Sequence, residues 1–107
     1  MPARAVVIPW YATGFRGDLM ETELHRVSRA ALRYGASSYE LLRADDDRYR
    51  FLQVLRFERK SDWERYWDGP EFSDFRVACQ GYFQVPVLYG WHDVVIEGHG
   101  PGVNGAA

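Results

Sequence analysis

Cysteine is nearly absent from this chain: Cys79 is the only one in 107 residues, so no disulfide can close within it, as in proteins of a reducing compartment. Long apolar runs are missing too. The opening MPARAVVIPW carries only a short one, with no small-residue cleavage site behind it, so neither a membrane span nor a leader of the secretory type is expected. The expected location is cytoplasmic, with no membrane partner. Basic clusters are lacking as well: 13 Lys and Arg against 15 Asp and Glu give a net charge of −2, with the cations dispersed. A nucleic-acid backbone needs a basic face, so that class of partner is excluded. No two histidines or cysteines stand at helical or turn spacing, which leaves no metal site in view. The Gly-x-Ser-x-Gly, dinucleotide-binding and phosphate-loop patterns are absent. Asp45 to Asp47 lack the alternating ligands and the glycine of a calcium loop and read as a solvated turn. No cofactor is expected, which leaves chemistry that a ligand can help perform itself.

What is present is a globular composition, 47% hydrophobic and 26% charged, in a length that suits one domain. Residues 4–11, RAVVIPWY, are β-branched and aromatic and read as a strand, with Pro9 marking an edge or bulge. Apolar positions then recur at Met20, Leu24, Val27 and Ala31, a helix with Asp18 as its N-cap and Gly35 as its left-handed end. ASSYELLR, ADDDR and YRFLQVLRFE read as strand, acidic turn and strand. Ser61 and Glu64 have the spacing of a capping box at the start of a second helix. Gly69-Pro70 breaks that helix, and Pro70 opens a further segment that buries Phe72, Phe75 and Cys79 and stops at Gly81. YFQVPVLYGWHDVVIEG reads as a long last strand with irregularities at Pro86 and Gly90. The domain is expected over residues 1–97, with 98–107 a flexible glycine-rich tail.

The order βαββαβ favours the α+β, ferredoxin-like arrangement, a four-stranded antiparallel sheet with its helices on one face. Strand alternation puts Tyr49, Phe51, Leu55 and Phe57 on one side of the third strand and Leu52 and Val54 on the other. In the last strand Phe83, Val85, Val87, Tyr89 and Trp91 oppose Leu88, Val94 and Ile96. Both faces are apolar, whereas helices cover one. A second copy of the chain is the economical cover for the other, so the expectation is a homodimer that meets through the sheet.

This element order, the turn ERKSDWERYW into the second helix and the closing YGWHDVV resemble the dimeric α/β-barrel superfamily, in particular its antibiotic biosynthesis monooxygenase branch. The resemblance spans roughly residues 4–96 and lies in element order more than in exact motifs. It implies a ligand held between sheet and helices, with Trp63 where the second-helix Trp of that family falls. That superfamily also holds haem-degrading enzymes, polyketide cyclases and lactone isomerases. The asparagine that works beside the Trp in haem-degrading and some quinone-forming members has no counterpart here, since Asn104 in the tail is the only one, and the second helix has no His for haem. The first-strand His of some cyclases is replaced by the Trp10-Tyr11 region.

The residues themselves offer the following candidates. Trp63, Tyr66 and Trp67 share one helix face, which makes either a solid core or, with Phe75, the wall of an apolar pocket suited to a flat aromatic ligand. His92 can take a proton near neutral pH, or it is an ordinary surface histidine. Alternation sends it opposite to Tyr89 and Trp91, so all three share a pocket only where Gly90 reorients the strand. His25 flanks the apolar stripe of the first helix and is a lesser candidate. Tyr11, Tyr39 and Tyr89 are able to donate to a carbonyl or phenolate, or simply pack in the sheet. Arg50 and Arg56 share a strand face and would hold an anionic group or a salt bridge. The resulting expectation is a cofactor-independent monooxygenase acting on an aromatic or polyketide-type substrate, with His92, Tyr89 or His25 as the acid-base group. A cyclase or isomerase in the same pocket, or a non-catalytic dimer that binds a small aromatic molecule, are the alternatives.

Overall fold

The computed structural model describes residues 4–101. Four strands, β1 (Arg4–Tyr11), β2 (Ser38–Arg43), β3 (Arg50–Arg56) and β4 (Gly90–Asp93), form one antiparallel sheet in the order β2-β3-β1-β4. Three helices, α1 (Gly17–Ala30), α2 (Lys60–Trp67) and α3 (Pro70–Ala78), lie on one face of it. The ferredoxin-like α+β reading therefore holds. Of the expected tail, Gly98–Pro101 carries no strand or helix, and residues 102–107, Asn104 among them, lie outside the described residues.

The pleat sorts the side chains as the alternation requires. Val6, Ile8 and Trp10 of β1 and Phe51, Gln53 and Leu55 of β3 point to the helices and are buried. Met20, Leu24 and Val27 of α1, Trp63 and Tyr66 of α2, and Phe72 and Phe75 of α3 close on them. α1 runs on through a short 3-10 turn, Ala31–Tyr34, and ends at Gly35 with φ +101°, where a side chain would be strained and would also strike Asp62. Gly69 is needed for a different reason. A Cβ there would lie 2.6 Å from the Arg65 carbonyl and 2.6 Å from the Tyr34 hydroxyl, so only glycine lets α2 and α3 meet at this corner.

Two helix starts differ from expectation. α2 begins at Lys60 after an extended Arg59, and no side chain caps it. Ser61 is already helical and exposed, so the Ser61/Glu64 box does not form; the nearby carboxylate of Asp62 is instead engaged by Arg65 and Arg59. Asp18 lies inside the first turn of α1 rather than at its cap, where it accepts from Arg43 of β2 at 2.8 Å.

The last strand is shorter than its pattern. Phe83 bridges Ala12, and the Gln84 N–H donates to the Tyr11 carbonyl at 2.8 Å. The chain then leaves the edge of β1 and rejoins it only at Gly90, opposite Val7. Residues 84–89 thus span the stretch opposite residues 8–11, two residues in excess. Pro86, with no N–H to give, sits in this excursion. An even excess preserves the pleat phase, so Phe83 and Trp91 both face the helices although the strand between them is broken.

Candidate functional site

The excursion opens a cavity of about 450 Å³ between the sheet edge and α3. Its floor is Trp10 of β1 and Phe83, whose rings meet edge to face at 4.9 Å. Trp67, at the end of α2, forms one wall, and Arg76, Val77 and Gln80 of α3 and its exit form another. Val85 and Val87 of the excursion face them. Val77 and Val85 are 73% and 77% exposed, which gives the mouth an apolar rim. This size and an apolar lining with a few polar groups are those of a small-molecule site.

The floor is held from behind. The Trp10 indole N–H donates to the Gln53 carbonyl oxygen at 3.0 Å, and the Gln53 amide donates to the Ser28 hydroxyl at 2.8 Å. All three residues are buried, and this chain of bonds fixes the plane that Trp10 presents. Gln53 escaped the sequence reading. Its signal was a polar residue in the helix-facing series Phe51, Gln53, Leu55.

The aromatic face of α2 divides between the two roles foreseen for it. Trp63 and Tyr66 are fully buried core, with Trp63 touching Phe57 and Tyr66 touching Phe72. The Tyr66 hydroxyl donates to the Val27 carbonyl at 2.6 Å, and burial pushes its pKa upward, with the nearby Gln53 amide opposing. It stays protonated and structural. Trp67 is half-buried and lines the cavity. Phe75 is buried behind Trp10, its ring 5.5 Å away edge to face. Tyr11 points to the other face of the sheet and donates to Asp47 at 2.7 Å; that bond is the main cause of its raised pKa and of Asp47's lowered one. Tyr39 faces the helices from β2 and packs against the core.

The three acid-base candidates are not brought together. Tyr89, 41% exposed, packs on Trp63 and Trp67 at centroid distances of 4.8 and 5.1 Å, so it stands beside the cavity wall. His92 pairs with Ala5 and projects, exposed, from the face that the helices leave open. The preserved pleat phase is the reason: Gly90 does not reorient β4, and a pocket shared by His92, Trp63 and Tyr89 does not form. His25 is exposed on α1 and does not line the cavity. Arg50 and Arg56 face Asp47 at 3.7 Å and Glu97 at 2.6 Å, so salt bridges are their role here. Among the described residues no three His, Cys, Asp or Glu side chains gather as metal ligands, and no helix is long and apolar enough to cross a membrane.

A four-stranded antiparallel sheet with its helices on one face defines the α+β, ferredoxin-like class of fold. Solved structures share the fold across almost the whole chain. One is SnoaB, a cofactor-independent oxygenase from Streptomyces nogalater, with a TM-score of 0.77 and 15% identity over 91% of this chain and 97% of that one. An antibiotic biosynthesis monooxygenase superposes with a TM-score of 0.76 and 10% identity, over 87% and 99% of the two chains. PA3566 from Pseudomonas aeruginosa gives 0.76 and 18% identity over 90% and 97%. At these identities the likeness is one of fold. No family model matches the chain, and no curated protein matches it in sequence.

Proposed function

We propose that this chain binds a planar aromatic or polyketide-type molecule in the cavity between Trp10, Trp67 and α3, and oxygenates it with dioxygen without a cofactor. The observation that carries the reading is the cavity itself, floored by Trp10 and Phe83 and walled by Trp67, on a fold shared with a cofactor-independent oxygenase. In such a reaction an activated methylene of the substrate loses a proton to water at the open mouth beside Val77 and Val85, and the carbanion delivers electrons to dioxygen. A carbon-oxygen bond forms, and loss of water from the hydroperoxide leaves a carbonyl, so that R2CH2 and O2 become R2CO and water. The protein's contribution is to hold the ring system flat and away from bulk water. Tyr89 is the hydroxyl adjacent to the wall through Trp67, whereas His25 and His92 do not line the cavity and have no part in this reading.

The lining contains neither an imidazole nor a carboxylate. A cyclase or isomerase needs a placed acid-base pair, so that alternative is less well supported. The same lack favours the non-catalytic binding reading as the runner-up. Oxygen consumption with a panel of anthrones, on chelator-treated protein, decides among them. One dioxygen consumed per quinone formed is the expected result. Ligand binding without oxygen uptake sinks the oxygenase reading and leaves the binding one, and a rearranged product without uptake makes the chain an isomerase.

The open face of the sheet enters the same proposal as the site of a second copy. Val7, Pro9, Leu42, Leu52 and Val54 occupy it, and in the segment after β4 Val95 and Ile96 are 93% and 88% exposed. An apolar surface of this kind, with Arg56 held to Glu97 at its margin, suits a self-complementary contact better than a charged partner.

A further inference from the structure

Arg76 is out of keeping with the apolar cavity that it lines. Its guanidinium carbon lies 4.3 Å from the centroid of the Trp67 ring and 5.3 Å from that of Phe72, stacked on the helix layer. One nitrogen donates to the Trp67 carbonyl at 2.9 Å, which aims the group without neutralising it. Arg33, Arg43, Arg56 and Arg65 each meet a carboxylate, but among the described residues none lies within ion-pair distance of Arg76. Asp68 acts on it only from farther away, and burial pushes its pKa below the ordinary arginine value. A guanidinium has five N–H donors, and a partly desolvated one without a counter-ion favours whatever anion enters beside it.

We propose that Arg76 is the anion-recognition residue of this cavity and that the ligand is a planar aromatic bearing an anionic oxygen, a carboxylate or an ionised phenol. The rings lie against Trp10 and Phe83, and the charged oxygen meets the guanidinium, with the Gln80 amide on the same wall. The inference rests on the cavity being the ligand site, but not on turnover. For an ionisable phenol it has a consequence that the oxygenase reading can use: the bound anion is favoured over the neutral form, so part of the cost of deprotonation is met by a fixed charge in place of a base.

The test is equilibrium binding, read by quenching of tryptophan fluorescence, with anthraquinone-2-carboxylate and its uncharged carboxamide as probes. Wild type is expected to bind the carboxylate about tenfold or more tightly than the carboxamide, the scale of one charge-assisted hydrogen bond. Arg76→Gln should bring the two to parity by weakening the carboxylate alone, while Arg76→Lys keeps part of the preference. In a second arm 2-hydroxyanthraquinone, whose absorption changes on ionisation, should ionise at lower pH when bound to wild type than when free, and not when bound to Arg76→Gln. Equal affinity of wild type for the two probes overturns the proposal, as does failure of both to bind. So does an equal loss of both in an Arg76→Gln protein whose circular dichroism is unchanged, which would make the residue a packing element. Charge-selective binding without oxygen uptake leaves this inference standing and removes only the oxygenase.

Discussion

Replacing Gln53 by leucine puts the buried bond chain behind the cavity floor to the test. The substitution nearly conserves volume, so it leaves no cavity to speak of, and its effect is polar. Two bonds are lost, from Trp10 Nε1 at 3.0 Å and to Ser28 at 2.8 Å. The Ser28 hydroxyl sits within α1 and is able to turn to the carbonyl four residues back, so it loses little. The Trp10 N–H has no such recourse at 2% exposure and is left unpaired, which costs about 1–3 kcal/mol. A loss near 2 kcal/mol corresponds to a fall in Tm of about 10 °C for a domain of this size. Urea unfolding followed by circular dichroism measures it, and Trp10→Phe completes a double-mutant cycle. On the leucine background Trp10→Phe removes an already orphaned group, so it should cost at least about 1 kcal/mol less than on wild type. A Gln53→Leu loss under about 0.5 kcal/mol, or strict additivity in the cycle, would refute the claim that this bond chain fixes the indole.

Trp63→Ala should destabilise by about 3–5 kcal/mol, whereas Trp67→Ala, half-buried at the cavity wall, should cost roughly half of that and weaken ligand binding; chemical denaturation of the two variants compares them. Glu71 accepts from the Tyr34 hydroxyl at 2.5 Å and from Arg33 at 2.8 Å, and these bonds hold its pKa down to about 2, below its ordinary 4.5. Its stabilising share is therefore fully present above about pH 4.5 and is lost as pH falls toward 2, and Glu71→Gln should flatten that part of a stability-pH curve. Sedimentation at micromolar concentration should give a dimer, with a contact of roughly 2,000 Å² or more in total, and a well-behaved monomer would rule out the sheet-to-sheet assembly.

The elements and their order were legible because each rests on local chemistry. β-branched and aromatic runs made β1 and the β2-β3 hairpin, helical spacing from Met20 to Val27 made α1, and Gly35 marked its end by a conformation that other residues avoid. Helix starts were read less well. A Ser-x-x-Glu spacing is only an opportunity, and at α2 the competing ion pairs of Asp62 with Arg59 and Arg65 are made by a helix that begins two residues earlier. Alternation also sorted the faces correctly through the broken last strand, since an excursion with two residues in excess leaves the phase unchanged.

By itself, then, the sequence determined a single apolar-cored sheet with helices on one side, a second apolar face, and His92 on the side opposite Tyr89, because side-chain direction follows from backbone period alone. Which aromatic residues are core and which are wall was decided only by tertiary structure. Trp63 and Trp67 stand on the same helix face with the same chemistry, and they differ because α3 and the 84–89 excursion diverge beside one of them and not the other. The solitary charge of Arg76 is of the same kind. An arginine's partner is set by what folds next to it, and only the packed chain shows the carboxylates of Asp62, Glu71 and Glu97 taken up by other arginines.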